Sequence, residues 1–281
     1  MYGDAQMLTI FPKGGLCNRL LALHSAIALA ADVEQPLRVV WTIGPDLGCP
    51  FERLFERPLE IAELITIRRL HETLGDRARE IVKRYLRWPP MHPTLFPSQV
   101  TAKTEQGYDF RELGLRRNSV IAAYNFFYPG TRGFYPFTPV EDVRRSVAEV
   151  TGRFGNTIGV HIRRGDHTTA IASSSTEAFE RRMREIVRID PDTSFFVASD
   201  DRREVENMKM AFPGKIIDSG APSFARDEAE GIKAAVVDLY ALAGTRRILG
   251  SVQSTFSQGA GLIGGIEVEN IKSRENATPR A

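Results

Sequence analysis

Apolar and polar positions follow two regimes along this chain, and each predicts its own elements. Residues 7–11 form an apolar run of strand length, stopped by Pro12, Gly14 and Gly15, after which apolar residues recur at helical spacing over 16–31. Strand, glycine turn and helix is the opening prediction. Residues 37–43 read as a second strand and 61–67 as a third. An amphipathic helix follows, with Leu70, Leu74, Ala78, Ile81 and Tyr85 on one side and Pro89 and Pro90 at its end. A strand over 119–124 then leads into a passage over 124–139 rich in aromatic residues, glycine and proline. It holds Phe126, Phe127, Tyr128, Phe134, Tyr135 and Phe137 and reads as a hinge or domain crossing.

From residue 140 the alternation is regular. Helices are predicted over 140–151, 176–189, 202–212, 230–243 and 256–263, with strands over 157–162, 195–198, 215–217 and 246–250 between them. Ser174 with Glu177, and Asp201 with Glu204, have the spacing of capping boxes for the second and third of these helices. Short strands separated by helices imply right-handed βαβ units and a parallel sheet, so the class is α/β and the second half a Rossmann-like domain. The last ten residues are polar and are expected to be disordered.

Composition bounds the function more than the fold. A length of 281 residues, at roughly 150 per domain, predicts about two compact units. Apolar residues at 42% and charged ones at 26% fit neither a disordered chain nor a membrane bundle. Thirty-seven Lys and Arg against 35 Asp and Glu leave a net charge of +2, too near neutrality for a protein gripping nucleic acid along a whole face. Cys17 and Cys49 make neither a disulfide framework nor a zinc ligand set, which points to a reducing compartment. The first residues lack a basic segment followed by an apolar core, and the apolar stretch 20–31 is interrupted by His24 and Ser25. No signal peptide or transmembrane segment is expected, and the expected location is cytoplasmic. The segment from Arg68 to Arg87 is basic and amphipathic; a solvated face is the default reading, with peripheral membrane contact as the minority one.

In an open parallel sheet, ligands bind beyond the carboxyl ends of the strands. After the strand 157–162, which contains His161, come Arg163, Arg164, Gly165, Asp166 and His167. Two guanidiniums at a strand end form a fork suited to a diphosphate. After 195–198 come Ser199, Asp200 and Asp201; capping accounts for Asp201 and leaves Asp200 for a ribose or base. Asp238 lies in an otherwise apolar helical stretch, which is costly unless it is paired or faces a pocket. Ser254, Thr255, Ser257 and Gln258 stand at a helix N-terminus, a ready phosphate site. Gly14 and Gly15, with Asn18 and Arg19 in the first helical turn, allow close backbone approach to an anionic or sugar ligand. Two motifs are set aside. The glycines 259, 261 and 264 satisfy the dinucleotide fingerprint but stand within a late helix, as a packing face would. Asp190 and Asp192 flank Pro191 before a strand, as a turn would.

Together these segments resemble the fucosyltransferase superfamily that includes the α1,2- and α1,6-fucosyltransferases, the rhizobial nodulation fucosyltransferase and the protein O-fucosyltransferases. His161, Arg163, Arg164 and Asp166 match its His-x-Arg-Arg-x-Asp signature. Residues 199–201 look like its second motif, 236–239 like its aspartate helix, 254–258 like its third motif and 14–18 like its N-terminal glycine loop.

The resemblance implies a GT-B type fold, two Rossmann-like domains facing a cleft. The expected division is an acceptor-side domain over 1–138, a GDP-sugar-binding domain over 139–270 and a disordered tail over 271–281. It implies an inverting, metal-independent glycosyltransferase moving fucose from GDP-fucose to a glycan or small acceptor, with neither metal nor further cofactor. Carried over by position, Arg163 binds the β-phosphate and stabilises the departing GDP, and Arg164 assists. His161 and Asp238 read the guanine, Ser257 and Gln258 contact the diphosphate, and Gly14, Gly15, Asn18, Asp200, Ser254 and Thr255 complete the donor-binding set. Two departures stand out. Cys17 occupies a position where several relatives have glycine, and Ile171 stands where the α1,6 branch has a glutamate proposed as acceptor base. The base is therefore open between Asp166 and His167, or dispensable where the leaving group drives the step. Ile171 also motivates an alternative, a non-catalytic nucleotide-sugar or glycan binding protein that retains the donor pocket.

Overall fold

A computed structural model describes residues 7–68, 94–114, 119–130, 133–165 and 173–273. The helix expected at 70–85, most of the basic segment 68–87, Asp166, His167 and Ile171 lie outside the described residues, as does the tail from 274. Two compact units divide the chain. One comprises Met1–Phe137 with Arg226–Ala229, the other Thr138–Ala225 with Glu230–Ala281. Among the described residues no helix is long and apolar enough to cross a membrane.

The first unit contains β1 (Leu8–Pro12), α1 (Leu16–Asp32), β2 (Leu37–Ile43), β3 (Ile61–Arg68), α2 (Pro97–Glu105), α3 (Arg111–Gly114) and β4 (Val120–Ala123). Its strands are all parallel, in the order β3-β2-β1-β4. Leu8, Ile10, Leu37, Val39 and Trp41 are fully buried, as the unbroken apolar runs of a sheet covered on both faces require. α1 is apolar around most of its circumference because it too is covered. The aromatic passage packs onto α1, and the division between the two units falls near its end, between Phe137 and Thr138, as expected of a domain crossing. The Phe127 and Tyr128 amides donate to Ser25 Oγ, the Tyr135 amide to His24 Nδ1, and the His24 ring stacks on Phe126 at 5.6 Å. Burial lowers the His24 pKa, which keeps the imidazole neutral and able to accept. The separate segment Arg226–Ala229 also belongs to this unit. The Gly48 amide donates to Arg226 O at 2.7 Å, and a Cβ on Gly48 would lie 1.9 Å from Asp227 O, so only glycine fits.

The second unit contains α4 (Glu141–Thr151), β5 (Thr157–Ile162), α5 (Thr176–Ile189), β6 (Ser194–Ser199), α6 (Arg202–Ala211), β7 (Ile216–Ile217), α7 (Ala229–Ala243), β8 (Ile248–Ser251), α8 (Thr255–Gly264) and β9 (Val268–Ile271). Its sheet is again parallel, ordered β7-β6-β5-β8-β9. The α/β class is therefore that of the structure. In both sheets the second and third strands lie to one side of the first and the fourth to the other. The order reverses between β1 and β4 and between β5 and β8, and ligands favour such switch points.

Sequence reading misses β9, a short edge strand whose polar residues hide the pattern. Ile271 in β9 is buried and the Ser273 amide donates to Ser173 O, so the expected tail does not begin at 271. Two caps also differ. Ser175, not Ser174, caps α5 by accepting from the Ala178 amide, while Ser174 is buried, its hydroxyl donating to Ile271 O and accepting from the Val252 amide. Asp201 does cap α6, but the Glu204 carboxylate is directed to Arg164. The late glycines are packing positions, as expected. A Cβ on Gly261 would lie 2.5 Å from Val268 Cγ2, and one on Gly264 2.2 Å from Ala243 O. Because the second clash is with backbone, Gly264→Ala is expected to destabilise the second unit by about 1–3 kcal/mol, read as a lowered urea midpoint.

Candidate functional site

The second sheet gathers candidate residues at the carboxyl ends of β5, β6 and β8. The chain leaves β5 at Arg163, whose amide donates to Ser251 Oγ at 2.9 Å, tying the turn to the end of β8. Asp200, just beyond β6, completes the turn. Its Oδ1 accepts from the Arg164 amide at 2.7 Å, and its Oδ2 accepts from the Gly165 amide at 3.1 Å and from Arg163 Nη1 at 2.6 Å. Asp200 thus fixes both backbone and guanidinium, and the partly exposed Arg163 side chain is held in one orientation. Asp200, expected to meet a ribose or base, also positions this turn and its guanidinium.

The two arginines differ in use. Arg164 donates from Nε to Glu204 Oε1 at 2.8 Å, from Nη1 to the carbonyls of Arg163 and Ser174, and from Nη2 to Thr176 Oγ1. Its side chain and that of Glu204 are each 12% exposed. A guanidinium with its donors spent this way knits β5, α5 and α6 together and has little left for a phosphate. The two-arginine fork read from the sequence is therefore one partly exposed arginine on a second, structural one.

Along β5, His161 is 4% exposed. Its Nδ1 lies 2.8 Å from Ser257 Oγ and 3.3 Å from Ser254 Oγ, and its ring stacks on Phe256 at 4.7 Å. Burial pushes its pKa down to about 4, with Arg163 adding to the effect and Asp200 opposing it, so the imidazole is neutral near pH 7. Ser257 is buried against this ring, whereas Gln258 is exposed. Ser254 caps α8 by accepting from the Ser257 amide, and Thr255 begins the helix. The preceding residue, Gln253, has φ of 59°, an uncommon value for a side-chain-bearing residue, which sharpens the turn between β8 and the amide-rich end of α8.

Asp238 on α7 is 7% exposed and borders a cavity of about 20 Å³ with Ser199, Arg202, Ser219 and Phe224. The Ser219 hydroxyl reaches its carboxyl, but Oδ1 is buried without a hydrogen-bond partner. Burial pushes its pKa up to about 7; Ser219 opposes the shift and Asp218 adds to it. A buried acceptor without a partner, on a residue that borders a cavity, makes Asp238 a candidate for a ligand contact. Sequence reading found Asp238 through its apolar setting. Arg202, Ser219, Phe224 and Ser251 carry no local signal, because only the fold brings them to the site.

In the first unit, Gly14 takes φ of 79° and Gly15 precedes α1 as its N-cap. Asn18 packs under this turn: a Cβ on Gly14 would lie 3.3 Å from Asn18 Cβ. Arg19 does not project outward. It is 2% exposed, donates to Gly14 O at 2.7 Å and Thr42 O at 2.6 Å, and lies over the Trp41 ring at 4.9 Å. It braces a small pocket of about 60 Å³ at the switch point of this sheet, lined by Lys13, Gly14, Asp46 and Tyr124 among others. Among the described residues no group of three or more His, Cys, Asp or Glu is placed to hold a metal ion.

No family model matches this chain, and no curated protein matches it. Solved structures do. NodZ alpha-1,6-fucosyltransferase soaked with GDP-fucose, an enzyme whose structure is also described from Bradyrhizobium, matches with a TM-score of 0.57 at 19% identity, over 92% of each chain. A mutant of Arabidopsis thaliana FUT1 in complex with GDP matches with a TM-score of 0.60 at 17% identity, over 100% of this chain and 73% of that one. POFUT1 in complex with GDP-fucose matches with a TM-score of 0.54 at 12% identity, over 95% and 98%. At these identities the likeness is one of fold: the chain shares the fold of these GT-B fucosyltransferases, the group its motifs resemble.

Proposed function

We propose that the protein is an inverting, metal-independent glycosyltransferase that moves fucose from GDP-fucose to a glycan or other small acceptor. In this reading the second unit binds the donor and the first serves the acceptor side, while Gly14, Gly15 and Asn18 keep the donor-binding role that the motifs imply. The observation that carries it is Arg163, held by Asp200 and Ser251 at the switch point beside the α8 N-terminus, in a fold shared with proteins crystallised with GDP and GDP-fucose. Fucosyl transfer separates charge, leaving an oxocarbenium-like sugar and a diphosphate. A preorganised guanidinium and helix-end amides stabilise that diphosphate as it departs. Neutral His161 and Asp238 are the base-reading groups, and the acceptor base is open between Asp166 and His167, or dispensable where the leaving group drives the step.

Calorimetric titration with GDP and GDP-fucose tests the donor assignment; absence of binding would remove it. Donor hydrolysis tests turnover, since a transferase releases free fucose slowly. Tight GDP-fucose binding with release at background would favour the non-catalytic alternative that Ile171 motivates.

The pH dependence has a definite sign. Asp238 is protonated below about pH 7, whereas a guanine Watson–Crick edge, which offers N–H donors, needs the carboxylate. GDP affinity is therefore expected to rise about tenfold per pH unit up to about 7 and then level off, with nearly one proton released per GDP bound at pH 6. Calorimetry in two buffers of different ionisation enthalpy reads that proton, and Asp238→Asn should lose it. Folding stability runs the other way. With a folded pKa above the unfolded one, Asp238 makes the fold less stable as pH rises from about 4 to about 7.

A further inference from the structure

The cavity beside Asp238 is too small for what its chemistry invites. About 20 Å³ holds a water, not a nucleobase. Admission of a base therefore requires one wall to move, and the walls differ in kind. Val197 and Ser199 belong to β6, Val205 to α6 and Asp238 to α7, all regular elements. The remaining wall is the irregular segment 218–225, which contributes Asp218, Ser219, Ala221 and Phe224.

That segment is pinned at both ends and latched in the middle. Asp218 pairs with Lys209 at 3.0 Å and accepts from the Gly220 amide at 2.8 Å, with Gly220 at φ of 66°. At the far end, Ala225 O lies so close to Gly231 that a Cβ there would sit 2.0 Å away. Between them, Arg202 Nη2 donates to Ala221 O at 2.7 Å, and its guanidinium lies 5.2 Å from the centre of the Phe224 ring. Arg202 is the first residue of α6, so a rigid helix carries the latch.

We propose that Arg202 and Phe224 form a stacking clamp for the nucleobase: the latch opens to admit a purine, whose donor edge meets Asp238, and the Phe224 ring and Arg202 guanidinium then close on its face. The inference rests on the donor reading above and adds to it residues that no motif suggests. The physics is that of base recognition elsewhere. An aromatic face and an arginine plane supply stacking energy to a base, and a buried acceptor supplies its orientation. The existing cation–π pair shows that the two groups already meet over a flat π-surface, which an inserted ring would share.

The test compares GDP with inorganic pyrophosphate, which carries the diphosphate without a base, on the full-length chain. Phe224→Leu keeps the apolar volume and removes the ring; Phe224→Tyr keeps the ring; Arg202→Met keeps the stem and removes the charge. GDP affinity is expected to fall about tenfold in F224L and R202M, and to stay within twofold of the unsubstituted protein in F224Y, while pyrophosphate, measured by displacement of GDP, is unchanged in all three. Thermal melting guards against loss of fold. Unchanged GDP affinity in F224L, or equal losses for GDP and pyrophosphate in a variant that melts normally, would overturn the clamp and leave the donor assignment standing. If the unsubstituted protein binds neither ligand, the donor assignment fails and the clamp with it.

Discussion

Arg163→Ala is expected to lower fucosyl transfer from GDP-fucose by about 10²–10³-fold without unfolding the protein. Among the described residues, its guanidinium is the cationic group that the turn after β5 presents, while that of its neighbour is consumed in structure. In the proposed reading its removal takes away the guanidinium that meets the diphosphate as it departs and leaves, among the described groups, those at the α8 N-terminus. Loss should appear in kcat more than in KM for the donor, because the interaction strengthens as negative charge develops. Arg163→Lys should recover little, since a single ammonium cannot keep the 2.6 Å contact to Asp200 and also meet a phosphate in the same plane. Asp200→Asn separates positioning from contact. The fork loosens while the cation remains, so a smaller loss is expected, of about tenfold. Single-turnover transfer with melting curves on each variant makes the measurement, and normal rates in R163A would overturn the assignment.

The second large effect falls on stability. Arg164→Ala is expected to destabilise the chain by about 3–5 kcal/mol, since it leaves the Glu204 carboxylate, in a site only 12% exposed, without its opposite charge and with the Thr176 hydroxyl as its hydrogen-bond donor, and takes a donor from the Ser174 carbonyl. Arg164→Ala with Glu204→Ala should recover part of that loss, because no unpaired charge remains. Denaturant unfolding of the two variants and of Arg163→Ala gives the comparison. If R164A unfolds at the normal midpoint but no longer binds GDP, then Arg164 is the phosphate ligand and Arg163 the structural partner.

That pair also marks what can be read from sequence and what cannot. Strand-end position identifies Arg163 and Arg164 together, and nothing local separates them. The difference arises because Glu204 and Thr176, remote in the chain, converge on Arg164, whereas Asp200 takes Arg163 by one edge. The strands of both sheets were legible as apolar runs because parallel strands are buried on both faces. β9 was not, since an edge strand needs no such run. Asp238 was legible because a carboxylate among valines is anomalous. Phe224 was not, because one aromatic in a Pro- and Ser-containing loop has no pattern to break. Arg19 illustrates the opposite error: a first-turn arginine next to a glycine loop suggests a ligand contact, but a close tryptophan and two carbonyls draw it inward.

The discontinuous make-up of the first unit bears on how the chain is made. A nascent chain ending at Phe137 holds all four strands of the first sheet but lacks Arg226, the acceptor for the Gly48 amide. β5, β6 and β7 must be synthesised before that partner emerges. The first unit as described is therefore complete only once that later stretch has been made. For the same reason, cutting the gene between the two sheets would leave the first unit without its returning segment.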